Sequence, residues 1–554
     1  MSVNVLKAQV ERYDVVIHEI MADPSPIVGL PNAEYIELKN ISGKSIDLLR
    51  FKIDNGSTTA TVSSSYLLQP DSMVVLCSRT QTVFFGNIKI IGLTSFPSLG
   101  NDGDLVTLKA SDGKTIHAVE YQSDWYRNPV KANGGWSLEM IDPLQPCAKD
   151  NWTASMDVKG GTPGKENSVV QTASGSQPLQ ALQCIALSAD KLLLQLDQGV
   201  DSLSSLSSLR YAIAGFDGKV SPVKIIPPLF RDVELMIDKK LEAEKIYTLI
   251  ASGLKRCRSD MNDTISIRTG ILKEPMKGDL VINEILFDPP SDGSDFVELR
   301  NNTQSVINAK GLSLASKNEL GIMGSGYRLS SDHFNIFPGE AVAISTDTGF
   351  IKHQWKSSPS QQLIQTGSMP SMADDKGHIV LLNARGDILD ELKYTDDMHF
   401  PLIKERFAVS LERVNPFAPS SFLSNWQSAA ASAGHATPGQ ENSQYMQSDT
   451  VDAIVHISPQ LMSPNNDGHD DLLQISYQFE KDGYMMNVYL FNERGQLLWK
   501  LVDNQLCGTH GAFYWNGLRN NQQLPDALYI IMAEIMRMNA KPLRFKKLIG
   551  IRSG

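Results

Sequence analysis

Near the C-terminal end of the chain, Asn465, Asp467, Asp470 and Asp471 surround Gly468 in the run SPNNDGHDDLLQI. Hard oxygen donors at this spacing can hold calcium, so a weak Ca2+ site is the one cofactor the sequence suggests. Counted from Ser463, position twelve is Gln474, where an EF-hand requires a bidentate glutamate, and that loop type is excluded. The same residues also make an Asx-type turn that opens a strand. Both readings stay open at this stage.

A second set of carboxylates occurs twice: Glu19, Asp23 and Glu37, then Glu284, Asp288 and Glu298. Acid–base or metal chemistry would need such groups to share one cleft, with separated pKa values. Glu37 and Glu298 instead sit in alternating segments just before an asparagine, and Asp23 and Asp288 precede prolines, positions at which carboxylates more often serve turns and backbone N–H groups. His18 becomes Asn283 in the second occurrence, a change that a hydrogen-bonding role survives and a catalytic role does not. The ten histidines show no HExxH or HxH spacing, and there is neither a GxSxG elbow nor a phosphate loop. The enzyme reading therefore lacks a nucleophile, a catalytic metal and a cofactor site, and no catalytic residue is assigned.

Five cysteines, Cys77, Cys147, Cys184, Cys257 and Cys507, form no CxxC pair, which argues against a zinc site and against a dense disulfide scaffold. Cys184 and Cys257 flank one unit and are the pair considered for a bridge. Trp136, Trp152 and Trp426 fall in repeated motifs and read as core; Trp125 and Tyr126, beside Asp124, lie in a loop-like stretch and are candidates for ligand stacking. Arg537, Lys541, Arg544, Lys546, Lys547 and Arg552 make the C-terminal end basic, which suits either an acidic partner or protection of an edge strand.

These residues must be carried by several folding units. At roughly 150 residues per domain, 554 residues suggest about four. The net charge of −11 argues against a coat for nucleic acid or anionic lipid, and 42% hydrophobic content supports packed cores. The longest apolar runs, such as Tyr529 to Met532, are strand-sized and predict no transmembrane segment.

An internal repeat then sets boundaries. DVVIHEIMADP (Asp14 to Pro24) returns as DLVINEILFDP (Asp279 to Pro289), identical at seven of eleven positions. EYIELKN at Glu34 is answered by DFVELRN at Asp295, WSLEMIDP at Trp136 by VSLERVNP at Val409, and NW at Asn151 by NW at Asn425. GTPGKENS at Gly161 is answered by HATPGQENS at His435. Colinear order over this length is a domain duplication, each copy with its own core. β-branched runs, alternation and turn signals every ten or so residues predict antiparallel sandwiches. The expected division is 10–168, a Ser/Gln-rich linker at 169–180, 181–272, 276–443 and 451–554.

The repeated (H/N)EI..DP, (E/D)(Y/F)(I/V)EL(K/R)N, LE..DP or LE..NP, NW and TPG.EN motifs resemble the lamin tail domain in its bacterial form. The unit between the copies is similar to bacterial immunoglobulin-like domains of surface-layer proteins, through YTLIASGLKRCRSDMND at Tyr247. The last unit, with SPNNDGHDD, YLFNERGQLLW, FYWNG and KKLIGIR, is similar to the C-terminal domain of gliding-motility-associated proteins of the Bacteroidetes, although the family's SPNGDGxND and a glycine at Ala527 are altered.

The resemblance implies an all-β chain of four tandem immunoglobulin-like β-sandwich domains with no catalytic centre. It implies export through the type IX secretion system to the cell surface, the outer membrane or the medium. Met1–Gln9 (MSVNVLKAQ) resembles the end of a signal peptide missing from this chain. The expected function is non-enzymatic: adhesion, scaffolding or binding of a surface glycan or protein, with the secretion machinery as a further partner. The alternative is an accessory part of a secreted hydrolase or nuclease with an unrecognised metal site.

Overall fold

The computed structural model describes residues 10–148, 150–171, 178–201, 205–207, 210–256, 262–400, 403, 406–445, 454–465, 469–479, 482–536 and 542–552. The 1–9 segment, residues 172–177 of the linker, Cys257, Asp467, Arg537 and Lys541 lie outside the described residues. The chain is all-β and contains four immunoglobulin-like sandwiches. It separates into two compact units, 1–242 with 246–271, and 272–554 with 243–245.

In the first unit, the opening sandwich has a six-stranded sheet in the order Trp152–Ala154, Leu138–Met140, Val15–Met21, Tyr35–Asn40, Met73–Ser78, Ile90–Leu93. A four-stranded sheet, Thr115–Gln122, Gly103–Lys109, Lys52–Asp54, Thr59–Thr61, covers one face. Ile17, Leu38, Val74, Val106 and Ile116 interdigitate between them. Every residue of Val15–Met21 and Tyr35–Asn40 is buried. Alternation in YIELKN suggests one wet face, yet Glu37 and Lys39 are buried too, because the segment around Thr162 lies over the outer face. Sheets covered on both faces lose the apolar–polar alternation of half-buried ones.

The second sandwich of this unit has seven strands. Lettered A to G in chain order, they form the sheets A-B-E-D (Ala181–Ser188, Lys191–Leu196, Asp232–Ile237, Val220–Ile226) and C-F-G (Tyr211–Ile213, Tyr247–Lys255, Asn262–Thr269). That strand order is the constant-type immunoglobulin arrangement. Cys184 stands in strand A with its side chain in the core, opposite Leu194. It is not disulfide-bonded, so the Cys184–Cys257 bridge is corrected: strand A points this thiol between the sheets, and burial pushes it up to about 12. Among the described residues the disulfide-bonded cysteine is Cys147, in the loop after Leu138–Met140.

In the second unit the duplicated sandwich repeats the strand order: Leu363–Gln365, Ala341–Ser345, Phe296–Asn301, Leu280–Leu286, Leu411–Arg413, Trp426–Ser428 in one sheet, and Tyr327–Arg328, Ser313–Ser316, Lys376–Leu382, Ile388–Thr395 in the other. Where the first copy has the 3-10 helix Arg79–Phe85, it has an α-helix, Thr348–Gln354, whose N-terminus Asp347 caps by accepting the Phe350 N–H at 2.9 Å. Seven residues are too few for a helical period to show in the sequence. The last sandwich packs Ile454–Ser458, Leu473–Gln478 and His510–Trp515 against a five-stranded sheet running Leu461–Met462, Leu543–Ile551, Ala527–Met536, Tyr484–Asn492, Leu497–Cys507. Among the described residues no helix is long and apolar enough to cross a membrane.

Candidate functional site

The repeated glutamates converge, the aspartates Asp23 and Asp288 do not, and the structure adds a third glutamate to each pair. Glu19 pairs across the sheet with Glu37 on one side and Glu139 on the other; Glu284 pairs in the same way with Glu298 and Glu412. All six are fully buried. Glu139 and Glu412 escaped the sequence reading, although their shared place in WSLEMIDP and VSLERVNP was the available signal.

Their partners explain the TPG.EN motif. Glu19 accepts hydrogen bonds from the Tyr35 hydroxyl at 2.6 Å, the Ser137 hydroxyl at 2.6 Å and the Thr162 N–H at 2.8 Å. Glu37 accepts from the Gly164 N–H, and Glu139 from the Thr162 hydroxyl at 2.9 Å and the Ser168 hydroxyl at 2.7 Å. Asn167 donates to the carbonyls of His18 and Met140, both at 2.9 Å. In the second copy Glu284 and Glu412 hold Thr437, Glu412 holds Ser443, Glu298 holds the Gly439 N–H at 2.6 Å, and Asn442 bridges the carbonyls of Asn283 and Arg413. Gly164 and Gly439 have φ of +78° and +77°, a left-handed turn that an L side chain resists.

Burial decides the protonation of this network. It raises Glu19 to about 7, Glu37 to about 9 and Glu298 to about 8, and raises Glu284 and Glu412 as well. It lowers His18 to about 3. His18 Nδ1 lies 3.4 Å from Glu37 Oε1, so at neutral pH this contact joins a neutral imidazole to a neutral carboxyl and is no ion pair. Carboxyls whose oxygens hold a backbone segment, away from any cleft, do the work of a clasp.

The remaining candidates scatter. Asp23 accepts the Ser25 N–H at 3.1 Å and an Asn101 amide hydrogen at 3.0 Å, as a turn cap does. Asp288 instead neighbours Asp374, and burial together with that charge raises it; Asp295 beside them rises to about 7 from the same causes. In the 463–474 loop, Asp471 accepts the Asn465 N–H at 3.0 Å and the Asp470 carbonyl accepts the Ser463 N–H at 2.9 Å, with Asp470 at φ +50°. Among the described residues no three or more His, Cys, Asp or Glu side chains gather as a metal would need. In the terminal strand, Arg544 pairs with Glu534 at 2.7 Å and Lys547 donates to the Ile457 carbonyl at 2.6 Å.

The indole candidate has a cavity. Tyr126 is buried in the core and unavailable, whereas Trp125 is half-buried, 6.4 Å from the Trp152 ring at 31°. Both indoles line a cavity of about 450 Å³ whose polar wall includes Asp124, Arg127 and the Glu120–Arg231 pair, 2.7 Å apart. Trp136 is covered on one face by the Lys131 ammonium at 4.2 Å, and Trp426 is buried with its indole N–H on the Ser420 carbonyl.

Strand order and duplicated clasps define a class, the modular β-sandwich protein. The chain carries two lamin tail domains, matched at residues 9–123 and 273–396, and a CHU_C type IX secretion signal domain at 456–547. The lamin tail matches end before Glu139 and Glu412, but those strands complete the same sheets and cores. The secretion signal makes this an exported protein of the cell surface or the extracellular space. The domains found are of non-catalytic kinds.

Among curated proteins none matches the chain. Similar solved structures include the N-terminal part of the bacterial S-layer protein SbsC, at 15% identity and a TM-score of 0.15 over 31% of this chain and 41% of that one. Dimeric latent PorU from Porphyromonas gingivalis is 8% identical, with a TM-score of 0.16 over 81% of this chain and 40% of that one. A tetra-tandem repeat from the extending region of a large adhesion protein is 10% identical, with a TM-score of 0.15 over 98% and 99%. The chain spans 41% to 55% of the S-layer chains. Likenesses this weak carry no argument about function.

Proposed function

We propose that this exported chain is a non-enzymatic ligand-binding protein of the cell surface, serving adhesion or scaffolding, and that the Trp125 cavity takes a carbohydrate ring. The observation that carries the reading is the pairing of an accessible indole face with carboxylate and guanidinium groups in one concave site of about 450 Å³. The C–H face of a sugar packs on an aromatic ring, while its hydroxyls donate to a carboxylate such as Asp124 and accept from a guanidinium such as Arg127. The glutamates, the other concentration of reactive groups, are engaged in holding the TPG segments.

The test is binding of the full chain to a panel of immobilised surface glycans, followed by intrinsic tryptophan fluorescence. Trp125→Ala should lose at least about tenfold in affinity, as truncation of a central aromatic anchor does. Binding that ignores the substitution overturns the site. Turnover of any glycan, with a stoichiometric transition metal in the protein, would favour the hydrolase alternative.

A further inference from the structure

Duplication supplies an internal control for a second feature of the first lamin tail domain. Beside its TPG segment lies an open groove of about 700 Å³, floored by the half-buried Leu30, Met73 and Ile88 and lined by Lys89, Lys159 and Lys165. None of the three ammonium groups has a carboxylate partner among the described residues, whereas nearby Lys39 is paired with Glu166 at 2.7 Å. The one acid in the lining, Asp157, is engaged by the Lys159 backbone N–H at 2.8 Å. Three unpaired cations around an aliphatic floor stand out in a chain of net charge −11.

The second copy closes this place. Strand register and the TPG motif put Gln362, Gly434 and Gln440 where the first copy has the lysines. Trp355, from the longer connection that follows Ala341–Ser345, donates its indole N–H to the Gly434 carbonyl at 3.0 Å and packs with Ala436; Gln440 donates to Ser357 at 3.0 Å. Where the groove is covered the cations are gone, and where it is open they remain.

We propose that this groove docks an acidic, extended segment of a partner protein. Three lysines match carboxylates spaced along a strand, and the aliphatic floor accepts the side chains between them. The groove lies next to Ile90–Leu93, the edge strand of the six-stranded sheet, where an extended segment can run. No aromatic ring lines it, so the stacking platform that nucleic-acid bases and sugar faces use is missing there. The site is independent of the Trp125 cavity.

The test uses the full chain and a fluorescein-labelled peptide of alternating glutamate and leucine, read by fluorescence anisotropy. The expected results are saturable binding that weakens with added salt, a loss of about two- to five-fold for each of Lys89→Gln, Lys159→Gln and Lys165→Gln, and at least about tenfold for the triple variant. A control removing three exposed lysines of the second copy (Lys310→Gln, Lys352→Gln, Lys393→Gln) should bind as the parent does. The proposal fails if the peptide does not bind, if the triple variant binds like the parent, or if the control loses as much. Polygalacturonate binding that depends on the three lysines, with no peptide binding, would reassign the groove to an acidic polysaccharide and overturn it.

Discussion

His18 is where the two copies of the clasp part company. In the second copy the Asn283 amide donates to Glu298 and to the Asn442 side-chain oxygen, both at 2.7 Å. In the first copy the corresponding atoms, His18 Nε2 and Asn167 Oδ1, are buried without a partner. An unmet buried polar atom costs about 1–3 kcal/mol, and a smaller side chain gives back part of any gain as a cavity. His18→Asn should therefore stabilise the first sandwich by about 1 kcal/mol, seen by calorimetry of the full chain as an upward shift of its transition; a downward shift sinks the argument. Proton linkage gives a second test. Glu37 holds its proton in the fold to about 9, against about 4.5 unfolded, so the unfolded chain binds fewer protons across that window and this contribution to stability declines as pH rises through it. His18, lowered to about 3, acts oppositely, its contribution falling as pH drops below 6.5. Glu37→Gln, an isostere of the neutral acid, should be nearly silent at pH 4, where the carboxyl is protonated folded and unfolded alike, and more stable than the parent at pH 9 by at least about 2 kcal/mol. Urea unfolding at the two pH values measures it, and equal stability at both would show that Glu37 is ionised in the fold.

The element that closes each sandwich is a segment without regular structure, held side chain to backbone. Thr437 ties two glutamates at once: its hydroxyl lies 3.1 Å from Glu284 and 2.9 Å from Glu412, and its N–H donates to Glu284. Thr437→Val removes that hydroxyl from two buried acceptors and should cost about 2 kcal/mol. Amide exchange across 437–444 should quicken more than in Leu280–Leu286, and uniform exchange would mean the segment is not a separate clasp. The strands that hold it were legible in the sequence, because the β-branched run VVIHEI and the alternation in EYIELKN are local signals. Its purpose was not. Glu19 and Thr162 are far apart in the chain and meet only once the sheet has formed, so His18 and Glu37 could be read as hydrogen-bonding groups while Glu139 passed as one polar residue among many. The insertion carrying Trp355 was hidden for the same reason, its indole meeting the Gly434 carbonyl 79 residues further along the chain.

For the molecule as a whole, cysteine chemistry and export meet in one expectation. Cytosolic chains keep their thiols reduced, whereas exported ones form bridges where geometry allows. Here Cys77, Cys184 and Cys507 are buried thiols and Cys147 is disulfide-bonded, the arrangement of a protein that matures outside the cytosol. Burial raises Cys77 to about 11, and Cys184 and Cys507 to about 12, so none is a reactive thiolate at neutral pH and none competes for the bridge. Protein shaved by protease from intact cells, denatured and alkylated without reductant, should therefore carry the label on Cys77, Cys184 and Cys507 and leave Cys147 unlabelled in the mass spectrum. The same chain without residues 451–554 loses the secretion signal domain, stays inside, escapes the protease and takes label on Cys147 as well. If the shortened chain were shaved as readily as the whole, the C-terminal sandwich would not be what carries this protein out; if surface protein showed a labelled Cys147, oxidation would not accompany the journey.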